Sequence, residues 1–221
     1  MYIVAFGASG QVGRHFVVQA ARRGHQVLAV VRAPVNYDLS PEQGPRVRQR
    51  LGDVQDGAFV SEAVRGADVV WSGLGLKRKS GHPWAALASP PDLASQATGH
   101  ILVAMSAHGV RRLAAISTAG AAEAHGKMNL LMRILVATSN VGAGYRDLAR
   151  MEVLLRQSDR EWIAVRPTRL TDGPATGRVR VLPGGEFAIN ASIPRADVAG
   201  YMLDQIERPH FDLQLPTITV T

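Results

Sequence analysis

The chain has 221 residues, 46% of them apolar, which suits one domain with a substantial core. It contains no cysteine, so disulfides, thiolate metal centres and cysteine nucleophiles are excluded. The net charge of +7 is spread over scattered arginines, and the one dense run, Lys77-Arg78-Lys79, lacks the interleaved aromatics of a nucleic-acid surface, so the charge is read as attraction for an anionic cofactor or substrate.

In chain order, residues 2–6 form a short apolar run ending at a glycine, the mark of a buried parallel strand. Residues 11–23 place Val12, Phe16, Val17 and Ala20 on one helical face, with Gly24 where a C-cap belongs. Strands are expected at 27–31 and 47–51, then a short helix over 58–64 and a fourth strand at 68–72. A helix over 92–108, closed by Gly109, leads to a fifth strand at 113–117. A helix at 147–157, a strand at 162–165 and a last helix carrying Val198, Met202 and Ile206 follow. The tail 211–220 alternates like a strand, and Pro216 assigns it to a sheet edge. This alternation predicts an α/β fold, a Rossmann-type doubly wound and mostly parallel sheet. A single domain over 1–221 is expected, with a small C-terminal substrate lobe.

Two stretches break the repeat. Residues 77–91 are a basic loop rich in Pro, Gly and Ser, and residues 119–146 run from Ala119-Gly120-Ala121-Ala122 through an apolar segment, 128–137, to Gly142-Ala143-Gly144. Both follow predicted strands and so emerge at the carboxyl edge of the sheet, where open α/β folds bind ligands. The second is expected to be a mobile cover hinged on its small residues. Its stripe Met128, Leu130, Leu131, Ile134 and Leu135 fits a pocket lining, a subunit contact or core, core being the commonest fate. Neither a basic leader with a cleavage site nor an apolar run of about 18–20 residues is present, so a cytoplasmic protein without a membrane span is expected.

Gly7-Ala8-Ser9-Gly10-Gln11-Val12-Gly13 joins the first strand to the first helix. Pyrophosphate recognition accounts for each glycine: Gly7 permits the tight turn, Gly10 lets the backbone approach the phosphates, and Gly13 lets helix and strand pack closely. The helix start adds unpaired N–H groups and the positive end of its dipole. At the end of the second strand, Val30-Val31-Arg32 puts an arginine where an NAD-preferring site has an acid, and no acid follows until Asp38. Arg32 is read as a cationic fork for the 2′-phosphate of NADP(H), the alternative being a plain surface arginine.

Further motifs are Gly52-Asp53-Val54, Gly66-Ala67-Asp68-Val69-Val70, Gly73-Leu74-Gly75 followed by Lys77, Met105-Ser106-Ala107-His108-Gly109-Val110, Val165-Arg166-Pro167-Thr168, and Ile193-Pro194-Arg195-Ala196-Asp197-Val198-Ala199. With these the chain resembles the atypical short-chain dehydrogenase/reductase proteins of the NAD(P)H-binding, NmrA-like family, in particular the flavin reductase (biliverdin IXβ reductase) branch. The resemblance implies a dinucleotide site built from Gly7, Ser9, Gly10, Gln11, Val12, Gly13 and Arg32, with Asp53 and Val54 at the adenine. It adds Gly73, Leu74, Gly75, Ser117, Arg166 and Pro167 to the cofactor set, and Thr118, Lys77 and Glu152 to the reaction centre. Asp53 also fits an ordinary turn, and Glu152 fits a helix-surface carboxylate as well as a group facing the nicotinamide. The implied activity is NADPH-dependent hydride transfer to a flavin, quinone or similar conjugated acceptor. The alternative is an NmrA-like NADP(H) sensor with little catalysis.

Departures from the family pattern bear on both readings. None of Tyr2, Tyr37, Tyr145 and Tyr201 has a lysine four residues on, so the Tyr-x-x-x-Lys pair is missing; Tyr145 comes nearest, with Ala149 at the lysine position. A second arginine beyond Arg32 is also absent, Asn36 standing near that place. His100 and His108 lie two helical turns apart and no metal-ligand spacing occurs, so no metal is expected. A G-x-S-x-G elbow is absent too, which speaks against serine hydrolysis. The oligomeric state is not legible in the sequence.

Overall fold

The computed structural model describes residues 1–121, 130–183, 190–211 and 214–220. Its elements are β1 (Tyr2–Phe6), α1 (Gln11–Arg22), β2 (Gln26–Val31), β3 (Val47–Leu51), α2 (Gly57–Val64), β4 (Val69–Ser72), α3 (Leu93–His108) and β5 (Arg112–Ile116). They continue with α4 (Leu130–Thr138), α5 (Val141–Gln157), β6 (Glu161–Pro167), β7 (Arg169–Thr171), β8 (Arg180–Val181), β9 (Ser192–Pro194), α6 (Arg195–Glu207) and β10 (Thr217–Thr219). Eight strands form one sheet in the order β3-β2-β1-β4-β5-β6-β10-β8, and β7 pairs with β9 apart from it. Every pairing in the large sheet is parallel except β10 with β8. This is the doubly wound, mostly parallel α/β sheet that the alternation predicts.

Helices cover both faces because the inner strands are apolar on both. One face packs Ile3, Ala5 and Trp71 under Phe16 and Val17 of α1 and Met202 and Ile206 of α6. The other packs Val4, Phe6 and Val70 under Val60 of α2, Ile101 and Met105 of α3, and Met151 and Leu155 of α5. Such double burial explains why β1 reads as a continuous apolar run rather than an alternating one.

Two expectations are corrected. The tail forms a strand only over 217–219, and β10 lies inside the sheet, parallel to β6 and antiparallel to β8. Pro216 directly precedes that strand, so its missing N–H costs no ladder bond, while its carbonyl accepts from Arg166 N at 2.8 Å. The helix expected from residue 147 starts at Val141, which places Gly142-Ala143-Gly144 in its first turn rather than in a flexible hinge. Gly142 is buried, and a Cβ there would stand 2.0 Å from the Val136 carbonyl oxygen of α4. Its smallness serves close helix packing. Met128 and the side chains of residues 130–132 fall outside the described residues; of the rest of that stripe, Ile134 is 51% exposed and so is not core.

Capping fixes α3 from a distance. Asp92, at the N-cap, makes no side-chain cap, and the buried carboxylate of Asp147 on α5 accepts from Ala94 N at 2.8 Å and Ser95 N at 3.0 Å. Asp147→Ala should leave two buried donors unpaired and destabilise the fold by about 1–3 kcal/mol. Urea denaturation checks this, and a midpoint unchanged from wild type would show that water satisfies α3 instead.

Candidate active site

The strand order reverses between β1 and β4, and the turns after these two strands meet at that point. Gly7 has φ +77°, a conformation favouring glycine, and a Cβ on it would stand 2.8 Å from the Gly73 carbonyl carbon. Gly73 is itself confined, for a Cβ there would stand 2.2 Å from the Trp71 ring. Gly13 sits over the loop so closely that its Cβ would stand 2.2 Å from the Gly7 carbonyl oxygen. Gly10 is the N-cap of α1 with φ −68° and ψ 166°, ordinary extended backbone, and neither a side-chain cap nor a first-turn acid neutralises the helix start. Ser9, Gly10 and Gln11 are exposed there. The result is a crevice of bare backbone facing an uncompensated helix dipole, which fits a pyrophosphate.

Around this crevice the remaining expected residues take different places. Arg32 follows β2 and is exposed. Asp53 is exposed just beyond β3, where its Oδ1 accepts from Gln55 N at 3.0 Å, an Asx-type turn; Val54 beside it is buried. Leu74 is half-buried and Gly75 has open space around its Cα. Lys77 is exposed, at the base of a loop closed on itself by Lys77 N donating to Ser89 Oγ and Ala88 N donating to Lys77 O. Trp84 Nε1 of that loop donates to Thr138 O at 3.0 Å, and Asn140 N donates to Pro83 O at 3.1 Å, so the loop is fastened to the α4–α5 junction.

Below the carboxyl edge of β5 and β6 lies a buried ionic cluster. Glu152 is fully buried on α5, and Arg166 is buried near the end of β6. Arg166 Nε donates to Glu152 Oε1 at 2.8 Å and Nη2 to Oε2 at 2.6 Å, while Ser117 Oγ donates to Oε1 at 2.6 Å. The helix-surface alternative for Glu152 is therefore corrected: β5, β6 and α5 enclose it, and both its oxygens are engaged. It holds Ser117 and Arg166 in place. Ala119 N donates to Pro167 O at 3.0 Å, which ties the turn after β5 to the end of β6. The hydroxyl of Thr168, next in the chain, is buried with no hydrogen-bond partner among the described residues.

Tyr145 was not legible as a partner of Thr118, because the motif that signals such a pair includes the lysine that Ala149 replaces. The Thr118 side chain lies near enough to the Tyr145 phenol to affect its ionisation. Burial pushes the Tyr145 phenol above its ordinary value, and the Thr118 side chain opposes that rise. Without a cation at position 149 to draw it down, the phenol keeps its proton at neutral pH. Tyr145 stands two helical turns before the buried Glu152 on α5, and that periodicity places the two on one face of the helix.

Glycine turns that meet at the switch point of a parallel sheet define a dinucleotide-binding α/β protein. Residues 7–209 match the NAD(P)H-binding family, and the chain belongs to it. A 3-diazoavenalumate denitrifying reductase of a Streptomyces species is 32% identical over 187 residues, 81% of this chain and 59% of that protein. An isoflavone reductase homolog of Zea mays is 40% identical over 79 residues, 33% of this chain and 26% of that protein. The chain thus spans less than two thirds of the length of these relatives. Among solved structures, ChuY, an anaerobillin reductase of Escherichia coli O157:H7, superposes with a TM-score of 0.79 at 21% identity, over 100% of this chain and 97% of that one. A short-chain dehydrogenase/reductase of Veillonella parvula in complex with NADP gives a TM-score of 0.77 at 19% identity, over 99% of this chain and 94% of that one. At such identities these structures share the fold. Among the described residues there is no cluster able to hold a metal ion, and no helix long and apolar enough to cross a membrane.

Proposed function

We propose that the protein is an NADPH-dependent oxidoreductase that passes a hydride to a flavin, quinone or similar conjugated acceptor. The observation that carries this reading is that Tyr145, on α5 and near Thr118 just beyond β5, has Ala149 and not a lysine four residues on. When bound, the dinucleotide supplies the hydride. Gly7, Gly10 and Gly13 leave room for its pyrophosphate, Arg32 pairs with its 2′-phosphate, and Ser117 and Pro167, held by Glu152 and Ala119, set the floor beneath the reacting ring. Thr118 and Tyr145 offer hydroxyls to orient the nicotinamide or the acceptor. Lys77, exposed at the rim, adds positive potential where negative charge develops.

Acceptor class follows from acidity. Reducing a simple ketone leaves an alkoxide, and a well-matched general acid accelerates that step by about 10²–10⁴-fold. The Tyr145 phenol, pushed up by burial and lacking a neighbouring lysine, is a poor acid for this work. A flavin or quinone spreads the incoming charge over its rings and can be protonated by water, so proximity and orientation give most of the help it needs. The reductase relatives support a small-molecule acceptor in general terms. Purified protein should therefore consume NADPH with FMN or a quinone and scarcely turn over simple aldehydes and ketones. Thr118→Ala should lower kcat by no more than about tenfold, one hydrogen bond's worth. Rapid reduction of an unconjugated ketone would overturn the acceptor class. Ala149, in place of the lysine, favours one second reading, a dinucleotide sensor that changes partner with the NADP+/NADPH ratio; tight binding with no turnover of any acceptor would establish it.

A further inference from the structure

A phosphate monoester carries about −1.5 to −2 charges at pH 7, so a lone exposed Arg32 would leave a 2′-phosphate about half neutralised. Asn36, near the place where the sequence lacks a second arginine, brings no charge of its own. Arg14, in the first turn of α1, reaches that place. Its Nε donates to Ser9 O at 3.3 Å and its Nη1 to Asn36 O at 3.4 Å. One guanidinium thus bridges the glycine loop and the segment after β2, the two walls between which a dinucleotide's adenosine ribose lies. Both bonds are long and both acceptors are neutral carbonyls; among the described residues no carboxylate forms an ion pair with Arg14, though Asp38 lines the same groove, so the bonds are readily exchanged for stronger ones to an anion. Its field is felt locally: burial pushes the neighbouring Tyr37 phenol up to about 12, and the Arg14 charge pulls against it.

We infer that Arg14 is a second cation for the 2′-phosphate of NADP(H), completing with Arg32 a two-arginine clamp whose halves come from different elements. The assignment rests on the NADPH reading above. It gives the side chain a task that bracing two loops would not require, since a neutral hydrogen-bonding residue braces as well. Arg14 also lines a groove of about 540 Å³ along the outer face of α1, between residues 36–38 and 173–175. A phosphate could reach Arg14 from that side as a free anion, so the source has to be separated in the test.

Wild type, Arg14→Gln, Arg14→Lys, Arg32→Gln and the double Gln variant would be titrated with NADPH and NADH at one fixed, low ionic strength. Adenosine 2′,5′-bisphosphate and 5′-AMP would serve as fragments with and without the 2′-phosphate. Arg14→Gln should weaken NADPH and the bisphosphate by about tenfold while NADH and 5′-AMP hold their affinities. Arg14→Lys should recover part of the loss, and the double variant should bind NADPH no better than NADH. Equal weakening of both dinucleotides would show Arg14 to be a brace only. No change in either would leave Arg32 alone at the phosphate and overturn the assignment, as would inorganic phosphate binding at Arg14 in protein already saturated with NADPH. A wild type that binds NADPH and NADH equally overturns the cofactor reading itself, and Arg14 falls with it.

Discussion

Gly13→Val should abolish dinucleotide binding, weakening it beyond about 100-fold, or about 3 kcal/mol. The reason is geometric. The first carbon of any side chain at position 13 would stand 2.2 Å from the Gly7 carbonyl oxygen and 2.9 Å from Ala8 Cα, and both are backbone. Neither atom can yield without moving the turn that cradles the pyrophosphate. Overpacking of this kind costs about 1–3 kcal/mol of stability, less than the domain has to spare, so the variant should still fold. Gly10→Ala sets the scale: its Cβ would stand 3.1 Å from the same oxygen, on ordinary backbone angles, and should cost binding much less. Gly99→Ala, in the middle of α3 with nothing within 4 Å, should be harmless. Calorimetry on all three, with circular dichroism for folding, checks the order. Normal NADPH affinity in folded Gly13→Val would remove the crevice from the cofactor site.

What the sequence made legible here was what depends on local pattern. Gly7, Gly10 and Gly13 could be given separate tasks from their spacing alone, and the positive φ of Gly7 and the crowding at Gly13 match those tasks. The strands β1, β2, β4, β5 and β6 are equally local, since each is a largely buried parallel run, whereas β3 is an edge strand with no buried residue. Long-range side-chain contacts were hidden for the corresponding reason. Nothing near Asp147 in the chain says that it caps a helix more than 50 residues earlier. The same holds for Glu152, whose surroundings come from β5, β6 and α5 together. Gly142 misleads in the opposite direction: glycine in a small-residue run suggests a hinge, whereas here it lets α4 and α5 touch. Composition cannot separate these uses, because the absence of a side chain serves flexibility and close packing alike.

Glu152→Ala should be the most destabilising of the single changes considered, costing about 3–5 kcal/mol. The carboxylate is fully buried and engaged by Arg166 and Ser117, so its loss removes two charge-assisted bonds from a buried guanidinium. Desolvation sets the size of the effect, since the pair's net contribution over an apolar pair is small while the cost of breaking it is large. A double variant, Glu152→Leu with Arg166→Met, should therefore recover much of the lost stability. Function should part from stability at that point. Glu152 holds the Ser117 hydroxyl at 2.6 Å, directly before Thr118 in the chain, so the apolar pair should restore the denaturation midpoint but not the position of the strand end. Turnover with a conjugated acceptor should stay several-fold below wild type in the double variant, with KM for NADPH raised. Urea denaturation and steady-state kinetics on the single and double variants separate the two effects. A single variant losing less than about 1 kcal/mol would mean that water reaches Arg166 and that the cluster is not sealed. A double variant with full activity would confine Glu152 to stability and release Ser117 from any part in the site.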